Sequence, residues 1–192
     1  SEIKLAVQGF YNNVTLNIRD TSRIYLRNIS APYSIVDSAK GVIDSVTFLG
    51  SFLFSNAPSG TYYLQVKSRN GLETWSKAGG EIYTAGSPFS YDFTSSVSQA
   101  YGNNLILKAG KFCQYNGDVN QNGLIDLTDL IQIYNDGSNF TTGYVATDVN
   151  GDGFVDLSDI TIVYNNASGF VAKIVPPGAE PSVKDADVKD KL

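Results

Sequence analysis

Through residue 112 apolar and polar positions alternate in short runs and never settle into a helical period. Strand-like runs recur at 3–7 (IKLAV), 14–18 (VTLNI), 23–29 (RIYLRNI), 42–49 (VIDSVTFL), 51–54 (SFLF), 61–67 (TYYLQVK), 72–77 (LETWSK), 89–93 (FSYDF) and 104–108 (NLILK). Turn-forming clusters separate them, among them Tyr-Asn-Asn, Ala-Pro-Tyr, Arg-Asn-Gly and Gly-Gly. Short strands repeating at intervals of about 8–12 residues predict a β-sandwich. Asn70-Gly71 lies between two such runs and predicts a two-residue type I′ hairpin, whose central positions both need positive φ.

The pattern changes after residue 126. Leu127, Leu130, Ile131 and Tyr134 recur at helical spacing, and so do Leu157, Ile160, Val163 and Tyr164. The reading is therefore a two-domain chain, an all-β sandwich over 1–112 followed by a small α module over 113–175. Residues 176–192 (PPGAEPSVKDADVKDKL) mix Pro, Gly and alternating charge and predict a linker or disordered terminus.

The second domain is built on a duplication. DVNQNGLIDLTDLIQIYNDGSNF (118–140) repeats as DVNGDGFVDLSDITIVYNNASGF (148–170), offset by 30 residues and identical at 11 of 23 positions. Each copy fits a calcium loop, with oxygen donors at loop positions 1, 3, 5, 7, 9 and 12 and Gly at 6. The first set is Asp118, Asn120, Asn122, the Leu124 carbonyl, Asp126 and Asp129; the second is Asp148, Asn150, Asp152, the Phe154 carbonyl, Asp156 and Asp159. Alternate side chains of a tight loop converge on one hard cation, and Gly123 and Gly153 supply the turn that a Cβ would penalise. Position 12 is Asp where Glu is usual, so bidentate coordination requires the first helical turn to lie close. The bland alternative is a pair of acidic turns capping two helices. Neither loop has an entering helix: LILKAGKFCQYNG precedes the first and only TGYVAT the second. That argues against a helix–loop–helix switch.

Charge agrees with this division. Residues 1–112 carry a net +3, residues 113–175 a net −7 from eight Asp and one Lys, and residues 176–192 a net −1, for −5 overall. Two calcium ions would bring the middle segment to −3. With no His and one Cys, the chain has no His-based catalytic set, no thiolate zinc site and no intramolecular disulfide. Any metal must be held by oxygen. The acidity argues against a nucleic-acid partner, and no apolar run is long enough for a membrane span. The missing initiator Met and the absence of a signal peptide predict a processed product or an excerpt.

Two resemblances follow from these motifs. GSFLFSNAPSGTYYLQVKSRNG (50–71) resembles the transthyretin-like, or carboxypeptidase regulatory-like, β-sandwich, with Phe52, Phe54, Tyr62, Leu64 and Val66 facing its core. The paired loops, their 30-residue offset and the missing entering helices resemble a dockerin of type I-like repeats, and with the sandwich upstream the whole resembles an X-module–dockerin pair. The resemblance implies a bacterial, secreted, non-catalytic module, extracellular or at the cell surface. It would bind two calcium ions and anchor a larger protein to a cohesin-type partner. The alternative is a calcium-stabilised adhesin or filament subunit that contacts neighbouring copies. Partner-surface candidates are Thr128, Gln132 and Asn135 on one helix and Ser158, Thr161, Ile162 and Asn165 on the other. Loop positions 10 and 11 are Leu127-Thr128 and Leu157-Ser158, and Leu replaces the small hydroxyl residue often seen at position 10. It either packs in the module's own core or faces the partner.

Other features carry less. Cys113 at the junction reads as a small buried hydrophobe, with an intermolecular disulfide as the rival, and Trp75 reads as core. Some sandwich adhesins carry a Lys–Asn isopeptide, for which Lys4 with Asn103 or Asn104 would be the pair; a solvated Lys is the simpler reading. A two-carboxylate glycosidase would have only Glu73, Glu81 and Asp92 to draw on, since the clustered acids are committed to metal.

Overall fold

The computed structural model describes residues 1–179, and the rest of the expected tail lies outside the described residues. The strands are β1 (Glu2–Lys4), β2 (Asp20–Asn28), β3 (Ile35–Ile43), β4 (Leu49–Ser51), β5 (Gly60–Ser68), β6 (Thr74–Trp75), β7 (Glu81–Tyr83), β8 (Ser90–Asp92), β9 (Ile106–Lys108) and β10 (Lys111–Cys113). The helices α1 (Leu127–Ser138) and α2 (Leu157–Ser168) follow.

One sheet runs β3-β2-β5-β6, with β7 also pairing β5, and a smaller one runs β4-β1-β8. Strand β2 shows the period of two that puts one face inward: Ser22, Ile24 and Leu26 are buried, while Arg23, Tyr25 and Arg27 are partly exposed. In register, Ile24 sits opposite Ala39 and Val66, and Leu26 opposite Leu64. Their apolar face packs with Ile3, Phe52, Phe54, Tyr91 and Phe93 into the sandwich core. Strand β5 is buried on both faces, because Tyr63 joins Trp75 and Tyr33 in a second cluster on the far side. Trp75 is core, its Nε1 donating to Glu73 Oε1 at 2.7 Å, and Cys113 is buried and free. Burial pushes the Cys113 thiol up to about 12, so it stays protonated at neutral pH.

Of the expected run 51–54 only Ser51 lies in a strand, and three other local expectations fail, each for a side-chain reason. Residues 14–18 form no strand: Asn12 Oδ1 accepts from the N–H groups of Val14 and Thr15 and folds the segment into a turn. The run 42–49 is broken in the same way, since Asp44 Oδ1 accepts from Val46 N and Thr47 N before β4 starts. Asn70-Gly71 makes no type I′ turn, as neither residue has positive φ. Asn70 is instead fully buried, and its Nδ2 donates to the carbonyls of Ala146 and Asp148, both 3.0 Å away in the second domain. Lys4 lies 3.9 Å from Asp92 in an ion pair, so the isopeptide reading is set aside.

The two halves meet along a seam of amide side chains. Asn116 accepts from Gly9 N at 3.1 Å and donates to Val149 O at 2.7 Å, while Asn166 Nδ2 donates to Asn116 O at 2.8 Å. Gln114 Nε2 donates to Leu72 O at 2.8 Å and its Oε1 accepts from Ser68. Leu72 itself joins the core of the helical half, beside Ile125, Ile133, Val149 and Val163. Gln114, Asn116 and Asn166, bonded at both ends of their amides, fix one docking geometry, and removing a partner leaves a costly orphan.

Gly9 lies where this seam is tightest: a Cβ there would fall 2.2 Å from the Val149 carbonyl oxygen, and backbone cannot step aside cheaply. A Gly9→Ala chain should lose about 1–3 kcal/mol in urea unfolding followed by far-UV circular dichroism. An unchanged midpoint would mean the seam is looser than described.

Candidate metal centres and helix faces

Each loop is wired to its helix by the same bonds. Asp126, at loop position 9, is the N-cap of α1 and accepts from Thr128 N, while Asp129, at position 12, accepts from Asp126 N to close a capping box. Asp156 and Asp159 do the same for α2. The other oxygen of Asp129 reaches back across the loop to Val119 N at 2.9 Å and Asn120 N at 3.2 Å; Asp159 reaches Val149 N at 2.7 Å and Asn150 N at 2.9 Å. The short Asp at position 12 thus sits in the first helical turn and against the start of its loop. Helix capping and a loop closed around its acids coexist here.

At position 1, Asp118 is buried and accepts from Asn122 N and Gly123 N, each at 3.0 Å, and Asp148 is buried and accepts from Gly151 N and Gly153 N. Asn120, Asn122, Asn150 and Asp152 each take a further loop N–H. Gly123 and Gly153 have φ of 88° and 87°, the left-handed conformation the tight turn needs. Leu124 and Phe154 hold position 7, and their neighbours Ile125 and Val155 pair with Val171 and Thr141. Each loop therefore rests on the chain leaving the other loop's helix.

The electrostatics follow from burial. Burial, reinforced by the Asp129 carboxylate, pushes the Asp118 carboxyl up to about 6, with the N–H donors of Gly123 and Asn122 and the positive charge of Lys67 opposing. Asp129, Asp148 and Asp159 are raised as well, in each case mainly by burial. Asp126, only partly buried, is lowered by the hydrogen bonds from Thr128. Buried acids raised in this way, set among amide and carbonyl oxygens with no sulfur or imidazole nearby, suit a hard divalent cation. Among the described residues no three acidic side chains form a cage alone. The loops draw only part of their candidate donors from Asp, the rest being Asn and main-chain carbonyls.

The helix faces differ from the expected ones. Thr128, Gln132, Asn135, Ser158, Thr161 and Asn165 are exposed, but Ile162 is half-buried against the core. Leu127 and Leu157 do not pack inside: they are 64% and 72% exposed. Ile131, Tyr134 and Tyr164 are exposed too, and Phe140 and Phe170, just past the helix ends, are 88% and 87% exposed. The inward side of each helix is carried by Ile133 and by Val163, so the helices have two apolar stripes and only one reaches the core. The outer stripe was in the sequence, at 127, 131 and 134 and at 157 and 164, but periodicity alone could not show which stripe faces out.

Residues 116–167 match the family model described as the dockerin type I domain. The chain as a whole resembles an X-module–dockerin pair. A chain of an N-terminal interface mutant of a type II cohesin–X–dockerin complex from Acetivibrio cellulolyticus superposes with a TM-score of 0.52 at 15% identity, covering 91% of this chain and 97% of that one. A C-terminal interface mutant of the same complex gives 0.47 at 17% identity, over 90% and 95%. At such identities the likeness is one of fold, and the first superposition carries it. No curated protein matches. Among the described residues no helix of the dockerin-like pair is long and apolar enough to cross a membrane.

The raised carboxyls have a consequence in the metal-free chain. Asp118 holds its proton more tightly folded than unfolded, so between its model-peptide value of 3.8 and about 6 the fold gains stability as pH falls and loses it as pH rises. In EDTA, an Asp118→Asn chain should melt at a higher temperature than the parent at pH 7 and show a flatter dependence between about pH 4 and 6. Equal midpoints across that range would contradict the buried-charge account.

Proposed function

We propose that residues 113–175 form a calcium-dependent protein–protein interaction module that anchors whatever protein carries this chain to a cohesin-type domain outside the cell, with 1–112 as its supporting sandwich. One ion would sit in each loop, held by Asp118, Asn120, Asn122, Asp126, Asp129 and the Leu124 carbonyl, and by Asp148, Asn150, Asp152, Asp156, Asp159 and the Phe154 carbonyl. The ions supply charge neutralisation and cross-link the loops; no chemistry at a substrate is asked of them. The module is non-catalytic in this reading, because the acids are spent on the loops and Glu73 is tied to Trp75, with Lys67 at 3.4 Å.

The observation that carries the reading is the duplicated exposed face. Leu127 with Tyr134 and Leu157 with Tyr164 occupy equivalent places on helices that begin at the two loops, so closure of the loops orders the surface offered to a partner. The Acetivibrio neighbour is described as a cohesin–X–dockerin complex, which suggests the partner class. Leu at position 10 makes this surface apolar where hydroxyl groups would make it polar, so the matching cohesin should present an apolar patch ringed by polar groups.

The test is surface plasmon resonance of the full chain against immobilised type I and type II cohesin domains. Binding in calcium, loss in EDTA, and at least a tenfold weakening by Leu127→Asp with Leu157→Asp are expected. Binding untouched by both treatments would overturn the proposal. Failure to bind any cohesin, together with calcium-dependent growth in light scattering, would favour the self-assembling filament subunit. On heating, the chelated chain should lose its 222 nm signal at a lower temperature than the calcium-loaded chain, and before the near-UV signal of Trp75 is lost. Identical melting with and without EDTA would contradict calcium's structural role.

A further inference from the structure

The two loops are not equivalent in their surroundings, and the difference comes from one sandwich residue. Arg69 follows β5, and its side chain is 8% exposed. Its Nη1 donates to Val145 O at 2.8 Å, its Nε lies 3.1 Å from Asp20 Oδ2, and its Nη2 lies 3.8 Å from Asp148 Oδ2, a position-1 donor of the second loop. The guanidinium stacks over Tyr144 at 4.3 Å and Phe10 at 5.2 Å, and the Tyr144 hydroxyl donates to Asp20. Nε and Nη2 make no hydrogen bond of good geometry, so charge and stacking hold this end of the side chain. Asp148 is fully buried, and Arg69 counters the upward push of burial on its carboxyl.

At the first loop the cations are placed differently: Lys67 opposes the push of burial on Asp118 but pairs with Glu73 at 3.4 Å, and Lys173 runs its stem past Gly123. The loops also differ in charge. The first has three Asp donors (Asp118, Asp126, Asp129) and the second has four (Asp148, Asp152, Asp156, Asp159), and Arg69, shared with Asp20, offsets part of the extra charge. The two loops also meet the sandwich differently, the first through Gln121 on Gly71 O. In the second, Gly151 lies where a Cβ would come within 2.7 Å of Ile18 and 2.9 Å of Phe10, whereas the first loop has Gln121 at the same place.

We propose that Arg69 is a built-in counter-cation for the second loop: it stabilises Asp148 while the loop is empty and sets how tightly that loop takes calcium. A divalent ion seated on Asp148 adds two positive charges beside a guanidinium that cannot leave, because Asp20, Val145, Phe10 and Tyr144 keep it. Arg69 is thus a positioning residue and not a ligand. Docking of the sandwich and filling of the second loop are coupled through it, and the second loop binds calcium more weakly than its four carboxylates alone would dictate.

The inference rests on the calcium reading above. Its test is isothermal titration of calcium into the metal-free full chain carrying Asp118→Asn, which leaves the second loop to titrate. Arg69→Gln, which keeps the stem and removes the charge, should tighten the second site about tenfold, while Arg69→Lys should stay near the parent. Asp20→Asn, which frees Arg69 to turn wholly onto Asp148, should weaken it. Loosened packing would weaken both Arg69→Gln and Asp20→Asn, so the opposite signs separate the charge effect from damage to the fold. Equal or weaker affinity in Arg69→Gln overturns the inference. No calcium heat in the parent sequence would overturn the calcium reading, and this inference with it.

Discussion

Buried negative charge is the constraint on which the rest of the structure turns. Asp118, Asp129, Asp148 and Asp159 sit in two loops too small to keep them in water, and burial raises all four. The fold answers in layers. Main-chain N–H groups converge on each carboxylate, the N-termini of α1 and α2 lie behind Asp129 and Asp159, and a guanidinium from the sandwich stands beside Asp148. None of these supplies a full countercharge to every acid, and a hard divalent cation in each loop would.

Because the loops are also the places where the two halves touch, the same constraint organises the interface. Asn70 and Asn116 from outside the second loop bind its carbonyls, and Gln121 of the first loop donates to Gly71 O. On the other side of each loop, the helix that starts there carries its exposed Leu, Tyr and Phe outward. One piece of chemistry therefore faces two ways, toward the sandwich through amides and a buried arginine, and toward solvent through an apolar stripe. A change at the metal would be felt on both faces.

What could be read from the sequence was whatever lies in register with itself. The 30-residue duplication gives the loops, the caps and the absence of entering helices, and the period of two in TYYLQVK gives a core strand. Contacts between distant segments left no such trace. Asn70 reads as a turn residue because Asn-Gly is a local signal, yet its amide is used 76 and 78 residues away. No local pattern marks Gln114, Asn166 or Arg69, yet the first two lie in the seam and the third stands beside Asp148. Leu127 and Leu157 were open between core and surface for a different reason: each helix has two apolar stripes, and only packing decides which one is covered. Asn12 and Asp44 broke expected strands because a single side-chain oxygen can satisfy two N–H groups and turn the chain.

The most direct measurement is the calcium stoichiometry of the intact chain, by equilibrium dialysis or native mass spectrometry after exhaustive chelation. The account predicts two ions per chain, falling to one when either Asp118 or Asp148 is replaced by Asn. A chain that retains no calcium, or keeps two ions after either replacement, would contradict it.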